Sequence, residues 1–157
     1  MDLDATLRFL KALQDEGVRY ALVGGLAMIV HGRVRATRDV DIFVEVGESN
    51  VQNLRRALRS LFDDPSIEEI TAVDLAGDYP AIRYVSPDGS LVLDIIARLG
   101  EAFDFANIEA QDAELEKAAV RVATAETLLR MKRDPVRDID RLDAAWLRSF
   151  LRGEESD

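Results

Sequence analysis

Apolar residues recur with two different periods along this chain, and the switches between them outline its elements. Leu3, Leu7, Leu10 and Leu13 fall at helical spacing ahead of Gly17, a residue able to close a helix in the left-handed conformation. The pattern predicts a first helix over residues 3–16. Residues 19–23 read as a buried strand ended by Gly24-Gly25, and residues 26–31 as a short apolar helix with Gly32 at its end. Residues 39–46 (Asp-Val-Asp-Ile-Phe-Val-Glu-Val) are rich in β-branched types and alternate with period 2, which predicts a strand. Ser49 and Gln52 then stand at the spacing of a capping box. Val51, Leu54, Leu58 and Leu61 make the following helix amphipathic, and Pro65 closes it.

Residues 66–79 are weakly patterned and predict an irregular connection. Residues 81–86 and 90–96 read as two strands joined by Pro87-Asp88-Gly89, where proline pre-sets a turn and glycine supplies positive φ. Two weaker strands are predicted near 107–111 and 118–123, and Thr124 caps a helix running to about Arg133. Asp134-Pro135 reads as an N-cap followed by proline at the first helical position. The last helix is expected to bury Ile139, Leu142, Trp146, Leu147 and Phe150, and residues 153–157 to fray. No repeat, low-complexity tract or interdomain linker interrupts this order. The expected fold class is α+β: one domain over residues 1–157, a mixed β-sheet flanked by helices, with 124–152 as a C-terminal helical segment.

Composition narrows the function. With 48% apolar residues the 157-residue chain can build one sizeable core. Lys and Arg number 20 against 30 Asp and Glu, a net charge of −10, which argues against nonspecific nucleic-acid binding through counterion release. The absence of cysteine excludes disulfides, thiolate zinc sites and cysteine nucleophiles, and a single histidine excludes sites built on two imidazoles. The longest apolar run, residues 20–30, contains two glycines and is too short to span a bilayer. The acidic N-terminus leads directly into a helical pattern with no visible signal peptide. The expectation is a soluble, cytoplasmic protein with no membrane partner.

Asp39 and Asp41 carry the strongest chemical signal, although acid-x-acid spacing is common by chance in so acidic a chain. Their context separates them from the rest. Period 2 places both carboxylates on one face of a strand while Val40, Ile42, Val44 and Val46 point to the other. Adjacent carboxylates repel unless a cation neutralises them, and a hard divalent ion with oxygen ligands does so. Asp94 lies within an otherwise apolar strand, Leu91-Val-Leu-Asp-Ile-Ile96, where an unpaired carboxylate is costly. Two readings stay open for it: a third member of the acidic cluster, or an ion pair with an arginine such as Arg83.

Gly24-Gly25, between a strand and a helix, lets backbone approach a phosphate closely. Arg33, Arg35 and Arg38 form a basic cluster between the glycines and the acidic pair, a set suited to an anionic ligand. Farther on, Arg121, Arg130, Lys132, Arg133, Arg137 and Arg141 are candidates for a local basic surface.

The segment Gly24-Gly25-Leu-Ala27-Met-Ile-Val-His31-Gly32-Arg-Val-Arg35-Ala-Thr37-Arg-Asp39-Val-Asp41 resembles the G-G-x-A-x-x-x-H-G-x-x-R-x-T-x-D-x-D block of small nucleotidyltransferases of the DNA polymerase β-like superfamily. The match is closest to the abortive-infection, type IV toxin-like branch. Downstream, Asp94 sits where that family's third metal ligand falls, and Lys132, Arg137, Asp140 and Asp143 resemble its C-terminal K…R-x-x-D-x-x-D helix pair. The resemblance implies a nucleotidyltransferase that moves a nucleoside monophosphate from a nucleoside triphosphate (NTP) to an acceptor hydroxyl and releases pyrophosphate. It implies Asp39, Asp41 and Asp94 as catalytic residues and ligands of Mg²⁺ or Mn²⁺, with Asp94 helping to activate the hydroxyl. Gly24, Gly25, Arg35, Thr37, Arg38 and Lys132 would bind the nucleotide.

Around this block, His31 is expected to support the glycine turn by hydrogen bonding, and Thr37 to bond loop backbone. Asp140 and Asp143, i,i+3 neighbours on one helix face, are expected to pair with Arg137 or Lys132. The acceptor stays open among an RNA end, a protein side chain and a small molecule, and a cognate antitoxin is an implied partner. Two other readings remain at this point. The small size suggests a non-catalytic toxin–antitoxin component or regulator on the same fold, and Asp-x-Asp also occurs as a glycosyltransferase metal motif.

Overall fold

The computed structural model describes residues 1–78, 80–101, 103–132 and 138–153. Helix α1 (Leu3–Asp15) starts where the Asp2 carboxylate accepts the Ala5 N–H at 3.0 Å. It stops at Gly17, whose φ of +65° lets its own N–H reach Gln14 O and the next one, of Val18, reach Leu13 O. Strand β1 (Tyr20–Val23) leads straight into α2 (Gly24–Val30), so the two glycines open the helix rather than precede it. After a loop come β2 (Val40–Val44) and α3 (Glu48–Arg59).

The predicted irregular stretch instead holds a 3₁₀ turn (Pro65–Glu69) and the short α4 (Ala72–Leu75), which drive Ile67, Ile70 and Leu75 into the core. Strands β3 (Ala81–Val85) and β4 (Val92–Ile96) form the expected hairpin, with Gly89 at φ +75°. A small ribbon of β5 (Arg98–Leu99) and β6 (Phe103–Asp104) follows. Then come β7 (Ala110–Leu115), β8 (Ala118–Ala123), α5 (Ala125–Met131) and α6 (Asp138–Leu151).

Six strands form one mixed sheet in the order β3-β4-β2-β1-β8-β7. The pairs β2/β4 and β1/β8 are parallel and the others antiparallel. Phe9, Leu10 and Leu13 of α1, Ile42 and Phe43 of β2, Val51, Leu54 and Leu58 of α3, and Leu93 and Ile95 of β4 are almost wholly excluded from solvent. Each such side chain contributes roughly 1.5–3 kcal/mol by burial. Phe43 shares the Asp41 face of β2 yet is fully buried, so that face turns polar only at the strand's entrance. No helix among the described residues is long and apolar enough to cross a membrane.

Several expectations need correction. The Ser49/Gln52 capping box does not form: α3 begins two residues earlier, after an extended Gly47 with no side-chain cap. Asn50 within it has a different task. Only 6% exposed, it accepts the Arg19 N–H at 2.7 Å and donates to Arg19 O at 3.0 Å and Glu45 O at 2.9 Å, tying the start of β1 to the exit of β2. The strand expected near 107–111 starts at Ala110, behind a 3₁₀ turn (Phe105–Asn107) capped by Asp104. Its hairpin with β8 turns through Glu116 and Lys117, at φ +48° and +70°, the geometry that tight hairpins normally give to glycine or asparagine.

The last helix is also rotated from expectation. Leu147 is buried, but Leu142 is 57% and Phe150 41% exposed, and Val46, expected on the apolar face of β2, is 38% exposed. Helix α6 turns inward through Asp143, which is fully buried. Its two oxygens take Arg33 Nε at 3.0 Å and Arg35 Nη1 at 2.5 Å, with Lys132 Nζ at 3.3 Å. Lys132 also meets Asp140 at 3.0 Å. Three cations therefore outweigh the apolar surface of Leu142 and Phe150 in setting the helix's orientation. Trp146 packs partly buried against the core, as expected, and the more exposed Phe150 stacks on it at 5.0 Å.

Two stability effects follow. Asn50→Ala removes the three hydrogen bonds between a buried amide and the backbones of Arg19 and Glu45, so urea unfolding should show a loss of about 2–3 kcal/mol. Asp143→Ala leaves its shielded cations without their common counter-ion and should cost about 3–5 kcal/mol in the same measurement.

Candidate functional site

The sheet's register builds the site. Val23 at the end of β1 stands opposite Asp41, Asp41 beside Asp94 on the parallel neighbour β4, and Asp94 opposite Arg83 on β3. Partners directly across a ladder project to the same face, so this row carries a glycine corner, two carboxylates and an arginine side by side. Asp39 lies just before β2 and joins them from the strand's entrance.

Both glycines are required by their neighbours. At Gly24, with φ +69°, an added Cβ would sit 2.0 Å from Asp41 Oδ2, and at Gly25 it would sit 2.7 Å from Thr37 Oγ1. The corner is thus pressed against two of the predicted site residues, which explains the Gly-Gly pair more directly than turn geometry alone. Thr37 donates to Asp39 O at 3.3 Å, as expected for a loop support. His31 does not support the glycines: its Nε2 bonds Ala123 O at 2.8 Å and ties the far end of α2 to β8.

A cavity of about 330 Å³ opens over this corner, lined by Gly24, Gly25, Arg35, Ala36, Thr37, Arg38, Asp39, Asp41 and Lys132. All six predicted nucleotide-binding residues and two of the three predicted catalytic ones therefore border one space. The third, Asp94, adjoins it through Asp41. A larger groove of about 800 Å³, between α1 and the β7–β8 hairpin, contains none of them.

Charge is divided across the cavity. On one side Arg35 and Lys132 are steered by Asp143 and Asp140, while Arg38 is exposed and makes no ion pair with a described residue. Arg33, expected with the anion partners, spends its guanidinium on Asp143 instead. Of the residues expected to form a wider basic surface, two are ion-paired and two lie outside the described residues. Arg121 is taken by Asp112 on β7, Lys132 by the α6 aspartates, and Arg133 and Arg137 lie outside the described residues.

On the other side, both open readings of Asp94 hold at once. It lies beside Asp41, and it is paired with Arg83, whose Nε and Nη2 reach its two oxygens at 2.9 and 3.1 Å. The same Nη2 reaches Asp39 Oδ2 at 2.9 Å. Asp41 receives no hydrogen bond from this arginine, and its carboxyl is pushed up to about 7, first by burial and then by Asp94 and Asp39. The cluster is therefore short of positive charge even with Arg83 in place. Three oxygen-donor side chains in that condition suit a hard divalent cation. As the side chains stand, no three acidic or imidazole groups among the described residues close on a common point, because Arg83 lies between Asp39 and Asp94.

Sequence reasoning named Arg83 only as a possible partner and missed its bridging position; the expected pairing of Asp140 and Asp143 with Lys132 forms, but the reach of Asp143 to Arg33 and Arg35 was missed. Arg83 carried a signal in its place on the hairpin opposite Asp94. Nothing local marks Asp143 as buried.

Solved structures share the fold. ANT(2″)-Ia in complex with adenylyl-2″-tobramycin is 16% identical, with 96% of this chain and 90% of that one covered and a TM-score of 0.57. The lincosamide antibiotic adenylyltransferase LnuA, lincomycin-bound, is 17% identical over 93% and 96%, with a TM-score of 0.59. An antigenic nucleotidyltransferase-like protein from Paracoccidioides brasiliensis is 17% identical over 92% and 76%, at 0.55. No curated protein matches the chain in sequence. The family described as Nucleotidyl transferase AbiEii toxin, Type IV TA system, matches residues 8–133. From α1 through the acidic strands to Lys132 the match runs across the whole glycine corner, and the chain belongs to the AbiEii nucleotidyl transferase family.

Proposed function

We propose that this chain transfers a nucleoside monophosphate from an NTP to an acceptor hydroxyl, with Mg²⁺ or Mn²⁺ held by Asp39, Asp41 and Asp94. The observation that carries this reading is the single cavity where the glycine corner, Thr37 and three cations face the Asp39–Asp41 pair. Gly24 and Gly25 leave backbone open to the triphosphate. Arg38, unpaired among the described residues, is the cation most available to a phosphate, while Arg35 and Lys132 present fixed positive charge aligned by Asp143. A divalent ion in such a site screens the phosphate charge and stabilises the attacking and leaving oxygens. Asp94, 24% exposed at the edge of the cluster, would accept the proton of the acceptor hydroxyl at its carboxylate.

The acceptor is a hydroxyl compound of one of three classes: an RNA end, a protein side chain or a small molecule. Family membership supports a toxin–antitoxin setting with a cognate antitoxin as partner, acting in the cytoplasm where NTPs are available. Incubation with each α-labelled NTP, Mg²⁺ and a cell extract should label one acceptor class, and labelling of none with any NTP would overturn the enzymatic reading in favour of a non-catalytic component.

Asp39→Asn should lower the labelling rate by about 10³-fold while leaving the unfolding midpoint close to wild type. Gly24→Ala forces Asp41 aside and should lower that rate by about 10²-fold, the effect of roughly an ångström's displacement in a reacting site.

A further inference from the structure

Arg83 holds the place that a cation would take. Its guanidinium grips both oxygens of Asp94 and one of Asp39, bridging two carboxylates that stand 55 positions apart in the chain (94 − 39). Nothing comparable fastens the rest of the side chain: it is 58% exposed and stands on β3, the edge strand of the sheet. Asp41, the most shielded acid of the cluster, receives no hydrogen bond from it.

We propose that Arg83 is a resident counter-ion of the acidic cluster that competes with the divalent metal for Asp39 and Asp94, so that metal enters only as the guanidinium swings out toward solvent. This rests on the metal-dependent reading above. The exchange replaces one positive charge, spread over a planar fork that reaches two carboxylates, with a compact doubly charged ion able to meet all three. The carboxylates do not need Arg83 to stay together. The in-register pairing of Asp41 with Asp94 on parallel strands, and the short step from Asp39 into β2, already fix their separation. Removing the arginine therefore removes a competitor while leaving the strands that carry the donors in register. Arg83 is a counter-ion in the metal-free protein and an electrostatic threshold against metal at low concentration.

The test is Mn²⁺ binding to the full chain without nucleotide, followed by the loss of the free-ion electron paramagnetic resonance signal. Arg83→Gln should bind Mn²⁺ about tenfold or more tightly than wild type, because a nearby positive charge has gone. It should also gain more in thermal unfolding temperature on Mn²⁺ addition. Arg83→Lys, which loses the planar fork but keeps the positive charge, should stay within about threefold of wild type. Equal or weaker binding by Arg83→Gln, or equally tight binding by both variants, overturns the proposal while leaving the metal site standing. Failure of wild type and both variants to bind Mn²⁺ overturns the proposal together with the metal-dependent reading.

Discussion

Three carboxylates set side by side across neighbouring strands repel one another, and the arrangement around them consists of ways of containing that repulsion. The register of β2 with β4 forces Asp41 against Asp94, and the step into β2 brings Asp39 alongside. Arg83 answers part of the negative charge from the edge strand. The remainder is visible at Asp41, where burial and two acidic neighbours favour the protonated form. Gly24 belongs to the same constraint, since any side chain there would collide with the Asp41 carboxylate.

The opposite wall of the cavity solves the inverse problem. Arg33, Arg35 and Lys132 would repel one another if left unpaired, and a single buried aspartate from α6 gathers them. Two separate charge clusters therefore polarise the cavity, one anionic with Arg83 bridging two of its acids, the other cationic with a buried anion at its heart. A triphosphate and its metal have complementary needs, negative phosphates toward one wall and a dication toward the other. That complementarity, more than any one side chain, relates the geometry to the chemistry of the family.

Much of this was legible along the chain. The period-2 strand bearing Asp39 and Asp41, the Pro87-Asp88-Gly89 hairpin and the glycine corner carry local signals, because strand alternation and turn chemistry act over a few residues. The α+β class followed from their order. What escaped has physical reasons too. The β7–β8 hairpin turns on Glu116 and Lys117 in left-handed conformations, so the glycine or asparagine that would have announced it is missing and the strand was placed three residues early. Asn50 fits a helix-start pattern but is spent on strand backbones across the fold. Leu142 and Phe150 have the spacing of a buried face, yet the pull of three cations on Asp143 turns α6 the other way. Such competition between burial and ion pairing depends on partners far away in sequence, where periodicity has no reach.

The Arg33–Asp143 contact joins positions 110 residues apart. Contacts of that span close large loops, and their entropy must be met before the contact repays it. The two walls of the cavity thus rest on different supports: Asp41 and Asp94 take their places from the register of β2 with β4, whereas Arg33, Arg35 and Lys132 take theirs from one side chain on the last helix.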